Sequence, residues 1–253
     1  MDIKIIYEDD SLLVVDKPAG VVVFPEGEFL KREVVLKREV GTPSTLIPST
    51  LIDALIEDRP KLKDVGEAPR FGMVHRLDKD TSGVLLVAKT NESLEFLQKQ
   101  FQESNVKKIY LALVVGCPKN EKGRIETLLG RAPSDRRKQK VYLPFSPDAV
   151  GKRNAITNYK VVEKFSKYAL IEIELETGRK HQIRAHLSYL GNPIAGDNLY
   201  GFKGQLCPKE LARQFLHSNK LEITLPSGGR KEFVSELPDE LKNILDNLKQ
   251  NDN

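Results

Sequence analysis

The residues His75-Arg76-Leu77-Asp78-Lys79-Asp80-Thr81-Ser82-Gly83 set a carboxylate between an arginine and a glycine-marked turn, directly ahead of the apolar run Val84-Leu85-Leu86-Val87. An Asp before a turn is commonly a cap for its own backbone. Beside a cation it can also be a reacting group. Two further stretches supply complementary chemistry. Gly178-Arg179-Lys180-His181-Gln182-Ile183-Arg184 is a polar, cationic cluster entering a helix, and Tyr110 interrupts an otherwise apolar strand. A tyrosine there can pack its ring, but its hydroxyl needs a partner. An Asp, an Arg and a Tyr converging on one site would suit work on a planar base: the guanidinium orients the carboxylate and holds it ionised, and the ring offers a stacking face. Read alone, Asp78 is more readily a cap.

Other chemistries lack their residues. His181 and His186 are five apart, off the one-face helical spacing of a metal pair. There is no G-x-x-x-x-G-K-[ST] and no G-x-G-x-x-G, so no phosphate loop is predicted. Ser82 sits in Thr81-Ser82-Gly83 rather than G-x-S-x-G, which gives a serine hydrolase no support. Cys117 and Cys207 fit neither a zinc spacing nor a disulfide framework, and a reducing cytoplasm is the expected home. A carboxylate glycosidase would want a second acid opposite Asp78, and Asp80 is too near in sequence to be placed there.

The elements that must position these groups can be read from periodicity. Short strands are predicted at Ile3 to Tyr7 and Leu12 to Asp16, split by a turn at Glu8-Asp9-Asp10-Ser11. The pentapeptide LKREV then occurs twice, at 30–34 and 36–40, followed by PSTLI at 43–47 and 48–52. Units this short form no solenoid, which needs periods of ~20 or more. The first pair reads as an added hairpin or variable loop. The second supplies Ser49 or Thr50 as N-cap for a helix over Leu51 to Glu57. Asn91 is expected to cap a helix with Leu94, Leu97 and Phe101 on its core face. Lys108 to Val115, Asn154 to Val162 and Ala169 to Glu176 read as strands, and His181 to Tyr189 as a helix stopped at Gly191. A helix near Pro208 to Leu216, strands at Leu221 to Leu225 and Lys231 to Val234, and a polar helix from Asp239 complete the expectation. Strands at hairpin spacing that do not alternate with helices predict α+β with a mixed, mostly antiparallel sheet flanked by helices and loops. No linker composition divides the chain, so one domain over 1–253 is expected, with 24–50 as a variable inserted segment and 239–253 as a C-terminal helix or tail.

The net charge of +4 is mild, but its distribution is not. Between Arg131 and Arg153 seven basic residues (Arg131, Arg136, Arg137, Lys138, Lys140, Lys152, Arg153) face two acids, Asp135 and Asp148. This is a solvated loop or a phosphate-contacting patch, and composition alone weighs the two equally. No apolar run approaches the ~20 residues of a membrane span, and Met1-Asp2-Ile3-Lys4 lacks a signal-peptide pattern.

Six segments fall in an order that resembles one family: Tyr7-Glu8-Asp9-Asp10; Val15-Asp16-Lys17-Pro18-Ala19-Gly20; His75-Arg76-Leu77-Asp78 through Lys89; Lys108-Ile109-Tyr110-Leu111-Ala112-Leu113; Thr177-Gly178-Arg179-Lys180-His181-Gln182-Ile183-Arg184; and Gly196-Asp197-Asn198-Leu199-Tyr200-Gly201. Together they resemble the RluA family of RNA pseudouridine synthases, from about residue 7 to about 240. The resemblance implies that Asp78 is the catalytic carboxylate, that Arg184 pairs with it, and that Tyr110 stacks on the uracil. It implies that Arg76 wedges the target uridine out of its stack, and it leaves His75 a structural role. No cofactor and no metal are implied. The partner would be a structured RNA, rRNA or tRNA with large-subunit rRNA favoured, met by a monomer with no membrane contact. Arg131, Arg136, Arg137, Lys138, Lys140, Arg179 and Lys180 become the expected RNA-binding cations. Many relatives carry an N-terminal S4 domain, and this chain is expected to begin at the catalytic domain. The alternative is a catalytically silent RNA-binding module, which would have no need of Asp78, Tyr110 and Arg184 together.

Overall fold

The computed structural model describes residues 1–25 and 50–252. Both LKREV repeats and the first PSTLI lie outside the described residues, and with them the expected hairpin. The chain divides into two compact units, residues 1–103 with 225–229 and residues 104–224 with 230–253.

Among its described residues the first unit is a three-stranded antiparallel sheet with two helices. β1 (Lys4–Glu8) pairs with β2 (Leu12–Lys17). After α1 (Leu51–Asp58), β3 (Ser82–Ala88) pairs with β2 in a register that sets Leu13 opposite Val87 and Val15 opposite Leu85. All seven β3 residues are buried, as its unbroken apolar run requires. Thr50 is the N-cap of α1: its hydroxyl accepts from the Asp53 amide while the Asp53 carboxylate accepts from the Thr50 amide. In α2 (Asn91–Gln102) the cap is Thr90, one residue before the expected Asn91. Asn91 is diverted to the neighbouring turn, where its side chain accepts from Gly66 N at 2.7 Å and donates to the Asp64 carbonyl.

The second unit carries β4 (Lys107–Val115), β5 (Lys122–Arg131), β6 (Gln139–Tyr142), β7 (Arg153–Lys164), β8 (Tyr168–Leu175), α3 (Gln182–Tyr189), β9 (Leu216–Thr224), β10 (Arg230–Val234) and α4 (Asp239–Asp252). Its strands run in the order β9-β4-β8-β7-β5-β6, with β10 paired to β9. The described pairings in both units are antiparallel, so the fold is α+β as expected. On β8, Ile171, Ile173 and Leu175 are buried and Glu174 is exposed, the alternation of a sheet with one wet face.

The structure departs from the sequence reading in two further places. No helix forms over Pro208 to Leu216: Leu216 begins β9, and Phe215, fully buried, donates its amide to the Ala195 carbonyl and accepts from Leu113 N. Pairing with the sheet outweighs local helical preference. The basic stretch is not a bare loop either. Its start lies on β5 and its middle on β6, and β5 separates β6 from β7.

Candidate active site

Asp78 lies on the turn between α1 and β3, half-buried, its carbonyl accepting from Thr81 N at 3.1 Å. The turn is tied down from beneath by Lys17, whose side chain is fully buried. The Lys17 ammonium donates to the carbonyls of Pro18 (2.7 Å), Val21 (2.8 Å) and Lys79 (2.9 Å), thereby joining the Lys-Pro-Ala-Gly loop to the residue after Asp78. An ammonium has three protons, and three carbonyls meet them. His75 is built into the same support. Its Nε2 accepts from Leu86 N at 3.0 Å and its ring stacks on Phe101 with centroids 4.7 Å apart. The Arg76 guanidinium lies 5.2 Å from the centroid of Phe24, so its stem and plane are braced by an aromatic face.

In the second unit Tyr110 sits on β4, 8% exposed, opposite Ile173 on β8 and Ser218 on β9. Period-two alternation puts Lys108 on the same face of β4. Lys108 is buried, its Nζ 3.5 Å from the Glu176 carbonyl. Burial lowers its pKa to about 8 against the opposing pull of Glu174.

Arg184 is presented by α3, and the sequence before it explains how. Gln182 is buried with its amide fully used: Oε1 accepts from Thr177 Oγ1 (2.8 Å) and Arg179 N (2.9 Å), and Nε2 donates to the Ile156 carbonyl (2.9 Å) and Thr157 Oγ1 (3.0 Å). This fixes the first turn of α3 against β7. His181, just ahead, adopts a left-handed backbone at φ 54°, a conformation that costs a non-glycine residue about 1 kcal/mol or more. Its Nδ1 lies 3.0 Å from the Tyr200 hydroxyl, a contact that holds this conformation in place.

Arg184 is 8% exposed, and its guanidinium has Nε 2.7 Å from Asp197 Oδ2 and Nη2 2.9 Å from Oδ1. It also stacks 5.0 Å over the centroid of Tyr200. Asp197 Oδ1 accepts in addition from the amides of Leu199 and Tyr200, both at 2.9 Å. Burial pushes the Asp197 carboxyl upward, but Arg184 and these two amides outweigh it and hold the pKa below the ordinary value. The preceding Gly196 is required: at φ +75°, a Cβ there would meet the Arg213 carbonyl oxygen at 2.1 Å.

The basic residues separate by exposure and partner. Arg131, Arg136, Arg179 and Lys180 are exposed. Arg137 is exposed but forks onto Asp135, Nη2 to Oδ2 at 2.8 Å. Lys138 lies 5.9 Å from the Tyr200 ring centroid, and Lys140 lies 4.8 Å from that of Tyr142. The Tyr200 hydroxyl also accepts from Gln139 N at 2.6 Å. Within this unit the structure therefore gathers Arg184, Lys138 and His181 around Tyr200, and it leaves Arg131 and Arg136 at the surface. Asp78 belongs to the first unit and Arg184 to the second.

Four residues of this machinery carry no role in the sequence reading: Lys17, Lys108, Asp197 and Tyr200. All four stand inside the quoted motif segments, and their polarity within apolar or glycine-marked surroundings is the signal that could have drawn attention to them. Among the described residues no group of three or more His, Cys, Asp or Glu converges as a metal site. No helix among them is long and apolar enough to cross a membrane.

Comparisons with known proteins point to one family. The family model described as RNA pseudouridylate synthase matches residues 11–189. A protein of Synechocystis named as an uncharacterized RNA pseudouridine synthase is 36% identical over 249 residues, covering 98% of this chain and 69% of its own length. The ribosomal large subunit pseudouridine synthase D of Nitrosomonas europaea is 40% identical over 251 residues, covering 96% of this chain and 64% of its own. The chain thus spans about two thirds of the length of these relatives. Among solved structures, human RNA pseudouridylate synthase domain containing 1 superposes with a TM-score of 0.72 at 25% identity, covering 99% of this chain and 94% of that one. With its motifs in order and more than half its length matched, the chain belongs to the RNA pseudouridylate synthase family, in the RluA type that its sequence resembles.

Proposed function

We propose that the protein isomerises specific uridines of a structured RNA, large-subunit rRNA before tRNA, with Asp78 as the catalytic carboxylate. The observation that carries this reading is the family match over 11–189, a span that contains Asp78, Tyr110 and Arg184. The large-subunit preference rests on relatives named for that substrate.

The net reaction breaks the N1–C1′ bond, turns the uracil and forms C5–C1′; C5 loses a proton and N1 gains one. It needs neither a redox partner nor an energy source. A stacked uridine hides these atoms, so the nucleotide must be flipped out first. In this reading Arg76 fills the gap it leaves, and the Phe24 ring beside its guanidinium supports that role. Asp78 then works on the flipped nucleotide, and a carboxylate that bonds to it covalently splits the isomerisation into easier steps. Attack at C1′, addition at C6 and abstraction of a ribose proton all fit an Asp on this turn. Arg184, with its guanidinium held by Asp197 and Tyr200, serves in this reading as a preorganised cation for the reaction. Tyr110 stacks on the uracil and takes part in moving the C5 proton. We assign the protein to the cytoplasm, acting as a monomer.

The test is pseudouridine mapping in RNA from cells with and without the gene, joined to conversion assays on rRNA and tRNA transcripts with the purified protein. Specific sites should vanish with the gene, and Asp78→Asn should abolish conversion while keeping fold and RNA binding. Unchanged maps together with no conversion of either transcript would overturn the reading.

A further inference from the structure

The connection between β6 and β7, residues 143–152, crosses over β5 to link strands that lie on opposite sides of it. Its base is tightly packed. Lys152 passes over Gly130, where an added Cβ would meet Lys152 Cδ at 2.3 Å. The ammonium groups of Lys140 and Lys152 both rest on the buried ring of Tyr142, 4.8 and 4.9 Å from its centroid. The top is the reverse. Phe145 is 99% exposed, and Val150 (88%) and Leu143 (55%) on the same connection are exposed as well.

An exposed aromatic on a slack loop signifies little, but this one is held. Prolines 144 and 147 bracket it, and Pro147–Ala149 forms a short 3-10 turn. Ser146 donates both its amide (3.0 Å) and its hydroxyl (2.9 Å) to the Leu143 carbonyl, Ala149 N donates to Ser146 O, and Lys152 N donates to Ala149 O. The backbone that displays Phe145 has already lost the freedom that binding would otherwise take from it. At the base of the same connection stand the two cations, Lys140 and Lys152, the first of them 3.5 Å from Asp148 Oδ2.

An apolar ring raised on a rigid, cationic crossover matches one class of ligand closely, a flat apolar face attached to a chain of negative charge. We infer that Phe145 is a stacking platform for an unpaired nucleobase of the RNA, with Lys140 and Lys152 taking the adjoining phosphates. This rests on the RNA-modifying reading and adds to it a contact outside the catalytic residues, one that selects single-stranded or bulged RNA beside the target.

The chain contains no tryptophan, so Phe145→Trp introduces a sole indole reporter at the platform. The full-length protein is titrated with a labelled oligouridylate of about a dozen nucleotides, a length suited to one such surface, and with a duplex of equal length. Indole fluorescence should be quenched in step with the anisotropy of the labelled single strand, and less by the duplex. Phe145→Ala should weaken single-strand binding about tenfold with an unaltered salt slope, whereas Lys140→Gln with Lys152→Gln should lower that slope by about 1 to 2. Phe145 touches no core, so Phe145→Ala should melt with the wild type; if it does not, quenching alone decides. Binding without quenching, together with wild-type affinity for Phe145→Ala, overturns the platform and leaves the RNA reading intact. Failure of the wild type to bind or convert any RNA overturns both. A wild-type dimer in sedimentation that Phe145→Ala dissolves would make a second copy the occupant and also overturn it.

Discussion

Arg184 and Asp197 form a buried bidentate pair, with Nε to Oδ2 at 2.7 Å and Nη2 to Oδ1 at 2.9 Å, and the same carboxylate accepts two amides from its own turn. Breaking one side of such a pair leaves the other charge buried, which costs about 3–5 kcal/mol. Asp197→Ala should therefore lower unfolding free energy by about that amount, read from urea denaturation. Asp197→Asn keeps the shape and part of the bonding, so it should fold better yet still lose turnover, because Arg184 is no longer held at a fixed angle. Equal turnover for Asp197→Asn and wild type would remove Asp197 from the positioning of Arg184.

Tyr110 lies on β4 between β8 and β9 and is buried, and removing its hydroxyl leaves that backbone pairing intact. Tyr110→Phe should thus retain the fold, changing stability by about 1 kcal/mol, while conversion falls by about 10² or more if the hydroxyl moves the C5 proton. Single-turnover assays with saturating enzyme separate this loss from weaker binding. A variant with full single-turnover rate would reduce Tyr110 to a stacking surface.

His186 gives the protein an acid-labile joint. It is fully buried between Thr127 (Nε2, 3.0 Å) and Thr157 (Nδ1, 2.8 Å), and Thr157 Oγ1 already accepts from Gln182. The Thr157 hydroxyl can therefore donate to Nδ1, with Nε2–H donating to Thr127, an arrangement only a neutral ring permits. Burial depresses the folded-state pKa from 6.5 to about 4. Between those values the unfolded chain binds more protons, so stability falls as pH falls from about 6.5 to about 4, by about 3 kcal/mol in all. Urea midpoints across this range for wild type and His186→Gln should show the extra acid sensitivity in the wild type only. Parallel curves would contradict it.

The basic surface should not behave as a uniform patch. Arg137 is already engaged by Asp135, whose carboxyl it pulls down to about 2, whereas Arg136 is exposed. If this surface meets RNA phosphates, Arg136→Gln should flatten the dependence of log affinity on log salt by about 1, and Arg137→Gln by clearly less. Filter binding at several ionic strengths gives both slopes. Identical wild-type slopes for the two variants would take this segment out of the RNA interface.

Most of the fold was legible because its signals are local. Alternation on β8, the buried run of β3 and the Thr50 capping box are properties of neighbouring residues, and the structure keeps them. The ordered motifs likewise marked out the family, since the chemistry needs those side-chain types and keeps them near glycine-marked turns. What the sequence could not contain is the identity of partners distant along the chain. Pro208 to Leu216 has the residues of a helix, yet Phe215 bonds to Ala195 and Leu113 and Leu216 pairs with Ala112 on β4, because those backbones offer partners there. Lys17 looks like a surface lysine until the Lys79 carbonyl arrives from 62 residues away. Asp197 and Tyr200 look like turn residues until α3 brings Arg184 against both. Residue type determined which chemistry is available; tertiary packing decided which buried polar group meets which, because a buried charge is tolerable only where the fold delivers its counterpart.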